Sequence, residues 1–285
     1  MAEISAADVK RLREKTGAGM MECKNALVST EGDFDQAEKL LKEKGLAALE
    51  SRADRATNAG KVFVKVSSDG GTAVLVELSS ETDFVSRNPE FIALGDTIAK
   101  KAMEKGCDAS DGELNGMVAD LATKIRENMG LKRLKILNAG QGEYFTWYIH
   151  GDGDIGVVVK CASDKPEIFR DDEVKTFVFS LALHIAAFNP YALDRDKIEP
   201  GYIAEQEGIF REQIRQDEEL QKKPANVQEG ILKGKMNKHL ADICLMDQGY
   251  VKDEKFTVAQ ALADQSKKLG AKLDIAEYVY FKVGG

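Results

Sequence analysis

The chain has 285 residues, of which 43% are hydrophobic and 31% are charged, and its formal net charge is −8. That length is enough for two or three compact units, and no run reaches the roughly 18 consecutive apolar residues that a membrane-spanning helix needs. The amino-terminal stretch lacks the apolar centre of a secretion signal, so we expect a cytoplasmic protein. The excess of acidic residues argues against direct binding of nucleic acid across the whole surface and favours a protein partner.

Three helices are predicted near the amino terminus. Ser5 has the character of a helix cap, and the glycines of "TGAG" end the first helix. A second helix runs from about Met20 to the "STEGD" turn, and Asp33 caps a third helix that Gly45 is expected to end. We therefore predict a helical module in residues 1–55.

Two later segments share a pattern of two alternating strands, a tight turn and a following helix. The first is "KVFVKVSSDGGTAVLVELSSE", before a helix capped by Asn88, and the second is "EYFTWYIHGDGDIGVVVKCASD", before a helix that ends at Asn189. The repetition predicts an α+β fold with a duplicated strand-strand-helix core and antiparallel sheets, divided into residues 56–140 and 141–285. Two polar helices within residues 200–242 are predicted to form an inserted antiparallel hairpin.

No motif indicates covalent or metal chemistry. "GDGDIG" has the letters of a dinucleotide fingerprint, but a strand follows it, and Asp152 and Asp154 would repel phosphate, so a hairpin turn is favoured. The histidines lack the spacing of a metal site, and His184 is expected to pack and hydrogen-bond on an apolar helix face. Cys23 is expected to be a small core residue. We predict no cofactor and no bound metal.

Two groups of side chains each allow two interpretations. Met20 and Met21 are neighbours on a helix and cannot both point inward. Met20 shares a face with Lys24, and this face either borders a small core or docks a partner's helix. Asp83 and Phe84 follow an apolar strand. In one interpretation Asp83 caps a turn and Phe84 packs beneath the following helix, and in the other the Phe84 ring faces outward.

Several motifs together resemble bacterial elongation factor Ts, the family of guanine-nucleotide exchange factors for elongation factor Tu. The two most specific motifs are "LREKTGAGMMECKNAL" at residues 12–27 and "TDFV" at residues 82–85. The others are "KIRENM" at 124–129, "YIHGDGDIGVVV" at 148–159, "LHIAAFNP" at 183–190 and "DQGYVKD" at 247–253. The resemblance covers nearly the whole chain.

The resemblance implies a ubiquitin-associated-like three-helix module, a duplicated core and a helical hairpin that some members use to form homodimers. It also implies that a loop presses against the GTP-binding domain of elongation factor Tu, displaces Mg²⁺ and promotes GDP release. By position, the loop residues are Thr82, Asp83, Phe84 and Val85. The residues implied to bind the partner are Met20, Met21, Lys24, Ile125, His150, Tyr250 and Val251. Gly249 stands where relatives commonly carry proline.

Two rival interpretations give different expectations. In a protein-binding adaptor without exchange activity, the helical module binds the partner and the core is a scaffold. Deleting residues 1–55 would then abolish binding, whereas Phe84→Ala would change nothing. A cysteine- or histidine-dependent enzyme would instead lose activity with Cys23→Ser or His150→Ala, and the sequence offers no supporting triad for it.

Overall fold

The structure is a computed structural model that describes residues 4–285. The chain forms two compact units, one containing the described part of Met1–Asn138 with Ile149–Gly156 and Phe281–Gly285, the other containing Ala139–Tyr148 and Val157–Tyr280. Helices are combined with antiparallel strand pairs, so the predicted α+β class is confirmed. A separate domain at residues 1–55 stays a prediction. Within the described part, no helix is both long enough and apolar enough to cross a membrane.

The amino-terminal helices are α1 (Ala6–Thr16), α2 (Met20–Ser29) and α3 (Phe34–Glu50). Ser5 caps α1 through its side-chain oxygen, and Gly17 ends it in the left-handed conformation at φ 69°, as predicted. The three helices share a small core of their own. Its buried members are Val9, Leu12, Cys23, Ala26, Leu27, Ala37 and Leu41.

The first sheet has the strand order β1-β2-β3, formed by β1 (Ala59–Val66), β2 (Thr72–Ser80) and β3 (Met129–Asn138). The predicted hairpin of β1 and β2 is confirmed, and β3 pairs antiparallel with the other edge of β2. Because β2 is the central strand, nearly its whole length is buried. The buried carboxylate of Glu77 lies 2.6 Å from Nε of Arg133, which supplies the opposite charge that a buried acid needs.

Three helices connect β2 to β3, namely α4 (Asp83–Ser86), α5 (Pro89–Lys105) and α6 (Gly112–Ile125). Asn88 caps α5 and the left-handed Gly106 ends it, as predicted. Neither α6 nor β3 is predicted from the sequence patterns. The buried side chains of the helices and the sheet form one core, whose larger members are Phe63, Val74, Val76, Leu78, Val85, Phe91, Leu94, Ile98, Leu114, Val118 and Leu121.

Gly45 lies inside α3, so the prediction that it ends the helix is wrong. A Cβ atom at Gly45 would lie 2.1 Å from Cγ2 of Thr123 on α6, which no real side chain tolerates. Glycine therefore permits α3 and α6 to approach closely, and this packing outweighs its tendency to end helices. Lys42 and Asp120, 2.8 Å apart, add an exposed ion pair between the same two helices.

Glu113, in the first turn of α6, has an unusually acidic carboxyl group. Hydrogen bonds from Lys101 and Lys105, followed by the charges of both ammonium groups, lower its pKa from 4.5 to about 2. We expect NMR titration of the Glu113 carboxyl carbon to give this low pKa, and Lys101→Met with Lys105→Met to restore the ordinary value. Because the folded pKa is depressed, the stabilisation is present above pH 4.5 and is lost as the pH falls toward 2. An ordinary pKa in the wild type would contradict the ion pairs.

The second sheet begins with β4 (Glu143–His150) and β5 (Ile155–Ser163), which pair as the predicted second hairpin. Helix α7 (Asp172–Phe188) follows. It ends at Asn189, as predicted, because asparagine tolerates the left-handed conformation found there at φ 42°. The hairpin and the helix therefore repeat the order of elements seen in the first unit.

A pair of long helices is inserted after α7, in the place predicted for a helical hairpin. The helices are α8 (Pro200–Gln216), the short α9 (Glu218–Gln221) and α10 (Ala225–Ile243). The hydroxyl of Tyr202 lies 3.0 Å from Nε2 of His239, and Arg211 lies 3.3 Å from Glu229. Residues early in α8 thus contact residues late in α10, so the predicted antiparallel arrangement is confirmed.

The remaining elements are β6 (Gly249–Tyr250), β7 (Asp253–Thr257), α11 (Val258–Leu269) and β8 (Leu273–Lys282). Strands β6 and β7 form a small antiparallel pair. Strand β8 joins the second sheet beside β5, giving the order β4-β5-β8. In each three-stranded sheet, therefore, the last strand in the sequence pairs with the second strand of the hairpin.

Candidate functional site

The segment from Thr82 to Ser86 forms one short helical turn directly after β2. Thr82 adopts an extended conformation, and its side-chain oxygen accepts a hydrogen bond from the N–H of Val85 at 3.4 Å. The hydroxyl of Ser86 donates to the carbonyl of Asp83 at 2.9 Å, which satisfies an acceptor near the other end of the turn. The chain then enters α5. The four-residue helix α4 is thus fixed by side-chain hydrogen bonds at both ends.

Two adjacent side chains of α4 differ sharply in exposure. Val85 is buried in the core of the first unit, whereas Phe84 is 81% exposed, the largest exposed fraction among the large hydrophobic residues described. The interpretation in which Phe84 packs beneath the following helix is therefore wrong. Asp83 does not cap the turn either, because Thr82 does so. The carboxylate of Asp83 instead lies 3.2 Å from Nη2 of Arg87, one helical turn later.

The "GDGD" turn between β4 and β5 is tied to Arg87 by charge. Lys61 is nearly buried, and its ammonium group lies 2.6 Å from the Asp152 carboxylate and 2.5 Å from the Asp152 carbonyl. The hydrogen bond from Lys61, followed by its charge, lowers the pKa of Asp152. The other oxygen of Asp152 lies 4.0 Å from Nε of Arg87. His150 is exposed beside this turn.

The turn itself has the hairpin geometry that the sequence predicts. Gly151 and Gly153 have φ of 61° and 98°, a region in which side-chain-bearing residues are strained. Strand β5 follows, and no helix N-terminus is present to bind a phosphate. The prediction that "GDGDIG" is a turn rather than a dinucleotide fingerprint is therefore confirmed.

Helix α2 presents a second exposed apolar surface. Met20 and Met21 are 53% and 64% exposed, and Lys24 and Val28 extend the same exposed side of the helix. The opposite side is buried in the three-helix core and includes Cys23, as predicted. The interpretation in which Met20 fills the edge of that core is therefore wrong. We call Met20, Met21, Lys24 and Val28 the α2 face.

Ile125 lies at the end of α6, half-buried against the core that also contains Val85. Its neighbour Arg126 forms a hydrogen-bonded ion pair with Glu22 of α2. The carboxylate of Glu22 also accepts the N–H of Gly19 at 2.7 Å, which fixes the start of α2. Within the first unit, the end of α6 therefore contacts helix α2 through Arg126 and packs through Ile125 against the core that contains Val85.

In the second unit, Tyr250 is only 8% exposed, and its hydroxyl is hydrogen-bonded to Ser180. The backbone N–H of Val251 donates to Nδ1 of His184 at 3.2 Å, and Nε2 of His184 lies 3.0 Å from Gln248 Oε1. The prediction of a packed and hydrogen-bonded His184 is confirmed, and burial lowers its pKa. The buried tyrosine ring thus helps to fix residues 248–251 against α7. We call this part of the second unit the corner around Tyr250. Partner contacts by Tyr250 and Val251 stay predictions.

The same corner exposes one aromatic side chain that was not predicted. Phe256 on β7 is 49% exposed, whereas Tyr250 on the paired strand β6 is buried. The available signal is one aromatic residue, Phe256, among the polar residues of "DEKFT". A lone aromatic residue has no periodicity, so it indicates neither a strand nor which side of one faces solvent.

The described residues offer no site for a metal ion. Among residues 4–285, no three side chains of His, Cys, Asp or Glu are grouped so that they would hold one. Burial raises the pKa of the Cys161 thiol to about 12, so this cysteine is a packed residue rather than a nucleophile. The features that the geometry places on the surface are the Phe84 ring and the α2 face.

Comparison with known proteins identifies the family. A family model described as elongation factor TS matches residues 81–285. Elongation factor Ts of Treponema denticola is 49% identical over 282 residues, covering 99% of both chains. The chain belongs to the elongation factor Ts family. Members in Treponema pallidum strain Nichols and Borrelia recurrentis are 43% and 39% identical, again with 99% of both chains covered.

Family membership assigns the chain to translation elongation. The family model includes residues 82–86, which we call the Phe84 turn, together with Ile125, His150 and the corner around Tyr250. The α2 face lies outside that match but inside the nearly complete span shared with the relatives. All the surfaces described above therefore belong to the part of the chain that is similar to other members.

Proposed function

We propose that this chain is a guanine-nucleotide exchange factor, which binds elongation factor Tu in its GDP-bound form and promotes GDP release. The observation that carries the proposal is the exposure of Phe84 beside a buried Val85. A large aromatic ring held in solvent by a capped turn has no evident role in the stability of the free chain. It does have one if it is buried in a partner.

The proposed mechanism requires no covalent step. In GTP-binding proteins, bound GDP is held by a phosphate-binding loop and Mg²⁺, which bridges phosphate and protein oxygens. A ring that fits only when these elements are displaced binds the nucleotide-free state more tightly, and so increases its population. The coupling is reciprocal, so GDP or GTP weakens the complex by the same factor and rebinding nucleotide releases the factor.

The carboxylate of Asp83, beside the Phe84 ring, can replace its ion pair with Arg87 by contacts with the partner. The side chains of Asp83 and Arg87 are 56% and 66% exposed, and surface pairs of this kind contribute about 0–1 kcal/mol. Breaking the pair in a complex therefore has a small energetic cost. We propose that the carboxylate competes for hydrogen bonds close to the partner's Mg²⁺ site.

One ring does not account for the whole effect. A shift of about 10⁴-fold in nucleotide affinity requires about 5.5 kcal/mol of differential binding, whereas burial of one Phe contributes about 1.5–3 kcal/mol. Further surfaces must hold the ring against the partner. We propose that these are the α2 face, Ile125 and His150, together with the corner around Tyr250 and Val251.

The finer features of the fold are also proposals. The separate core of α1–α3 supports a ubiquitin-associated-like module, and the similar strand orders β1-β2-β3 and β4-β5-β8 support a duplicated core. Homodimerisation through residues 200–242 is supported by the exposed side chains of Ile209 and Val227. Sedimentation equilibrium of the intact chain measures whether it forms dimers.

A protein-binding adaptor is the second candidate function. It is favoured by the α2 face, which is exposed on a helix whose other side packs in the separate core of α1–α3. An adaptor would bind elongation factor Tu without changing nucleotide release, and Phe84→Ala would then have no effect on binding.

The direct test is release of a fluorescent GDP analogue preloaded on elongation factor Tu, with excess unlabelled GDP as the trap. We expect the release rate to rise with the concentration of this chain and then saturate. Added Mg²⁺ is expected to oppose the acceleration. Binding without acceleration at saturating concentration would exclude exchange and leave the adaptor.

Substitutions in the α2 face separate anchoring from displacement. We expect Met20→Ser with Met21→Ser to raise the half-saturating concentration about tenfold and leave the maximal release rate nearly unchanged, because exposed apolar area is lost only from the interface. The half-saturating concentration is read from the same titration. The free energy of unfolding should change little, since both side chains are more than half exposed. A marked loss of unfolding free energy would instead indicate that these two side chains pack in the three-helix core.

A further inference from the structure

The carboxylate of Glu127 binds the residue that begins the Phe84 turn. It accepts the backbone N–H of Thr82 at 3.2 Å and faces the Thr82 hydroxyl at 3.0 Å from each carboxylate oxygen. The two residues are 45 positions apart in the chain. This contact therefore fixes the turn from outside its own segment.

The direction of these hydrogen bonds determines how Thr82 caps α4. A hydroxyl has one proton to donate and two lone pairs that accept. With the proton directed at the Glu127 carboxylate, a lone pair is free to accept the N–H of Val85 at 3.4 Å. Glu127 thus sets the Thr82 hydroxyl in the orientation that the cap requires.

Glu81 and Asn128, which are the sequence neighbours of Thr82 and Glu127, form a second contact. Here the residue before Thr82 supplies the carboxylate, and the residue after Glu127 supplies the backbone N–H. The carboxylate of Glu81 accepts the backbone N–H of Asn128 at 2.6 Å and lies 3.3 Å from Nη1 of Arg55. The hydrogen bond from Asn128 is the largest cause that lowers the pKa of Glu81. The side-chain amide of Asn128 donates to the carbonyls of Ala53 and Arg55, at 3.1 and 2.9 Å. The segment after α3, the end of β2 and the end of α6 therefore meet here.

A helix of four residues has no stability of its own, because helix formation needs several turns before it becomes favourable. The direction of Phe84 therefore depends on what fixes the turn. Val85 is held by burial and Thr82 by Glu127. The hydroxyls of Ser80 and Ser86 also donate to carbonyls of the turn, at 2.8 Å to Thr82 and 2.9 Å to Asp83, but neither orients the Thr82 hydroxyl. Without Glu127 the cap on the Val85 N–H weakens, and the ring next to Val85 is free to take several directions.

We propose that Glu127 is a positioning residue for nucleotide exchange, which orients Thr82 and thereby holds Phe84 outward in the direction needed to enter the partner. The inference rests on the proposed exchange function and assigns Glu127 no contact with nucleotide. Loss of its carboxylate lowers the fraction of bound complexes in which the ring is correctly placed. The surfaces that anchor the partner are unchanged.

Glu127→Gln tests this role with little change of shape. The amide retains one acceptor oxygen but turns an NH₂ donor toward one of the two Thr82 donors. We expect the maximal rate of stimulated GDP release to fall about tenfold while the half-saturating concentration stays within about twofold. Glu104→Gln is the matched control, since this exposed carboxylate on α5 pairs with Lys100 at 3.9 Å and should leave both parameters unchanged.

Thr82 supplies an independent pair of variants. Thr82→Val removes the hydroxyl and keeps the branched shape, so it should lower the maximal rate as Glu127→Gln does. Thr82→Ser keeps the hydroxyl and should retain nearly the wild-type rate. Because Glu127 and Thr82 act as one unit, combining Glu127→Gln with Thr82→Val should cost little more than the stronger single substitution. Circular dichroism and urea unfolding of each variant verify that rates refer to folded protein.

Three outcomes would overturn the inference. An active wild type with an equally active Glu127→Gln variant refutes the positioning role and leaves the exchange function intact. A raised half-saturating concentration with an unchanged maximal rate assigns Glu127 to anchoring instead. Absence of acceleration by the wild type removes the exchange function and this inference with it.

Discussion

Replacing Phe84 with alanine is expected to lower the maximal rate of stimulated GDP release from elongation factor Tu by roughly 10- to 100-fold. The ring is 81% exposed in the free chain. In the proposed mechanism its burial is therefore gained only when the partner's nucleotide site has opened. Full burial of a Phe side chain contributes about 1.5–3 kcal/mol, and about 1.4 kcal/mol corresponds to a tenfold change in rate. Stopped-flow release of a fluorescent GDP analogue at saturating factor measures the effect.

The stability of the Phe84→Ala variant distinguishes displacement from unfolding. We expect the free energy of unfolding to change by less than about 0.5 kcal/mol, as for surface substitutions in general. Trp147→Ala is the matched control, because that ring is also exposed, at 43%, and lies on β4 outside the residues proposed to act on the partner. If the Phe84 variant accelerates release as well as the wild type does, the displacement mechanism is wrong even though family membership stands.

Local rules of the sequence predict several helix boundaries of this fold. Ser5, Asp33 and Asn88 cap helices through their side chains, and Gly17 and Asn189 end helices in the left-handed conformation. Each signal acts within one helical turn, so no knowledge of the rest of the chain is needed. Gly45 shows the limit of such rules, because its role is set by Thr123 on another helix.

The direction of a side chain within the site is a different kind of problem. The letters "TDFV" fit either a packed or an exposed Phe84, because the choice depends on whether Val85 or Phe84 faces a core that is built mostly from later residues. The contacts between Glu127 and Thr82 and between Lys61 and Asp152 join positions 45 and 91 residues apart. No periodicity or capping signal reports on pairs at that separation, whereas the family resemblance identifies the segment without giving its geometry.

Phe91→Ala is expected to lower the free energy of unfolding by about 3–5 kcal/mol. Phe91 has no exposed surface, and its ring centroid lies 6.3 Å from that of Phe63 in the core of the first unit. Truncation leaves a cavity that neighbours in a close-packed interior fill only in part. Urea unfolding measures the loss as a lower transition midpoint with a similar slope.

The neighbouring residue provides a matched control for Phe91. Ile92, on the same turn of α5, is 37% exposed, so Ile92→Ala should cost about 1 kcal/mol or less. Equal losses for the two variants would show that α5 does not pack as described.

The effect on exchange follows from the same packing, because the core that contains Phe91 also holds Val85 directly beside Phe84. A looser core lets Val85 move, so folded Phe91→Ala protein should release GDP from the partner more slowly than folded Ile92→Ala protein.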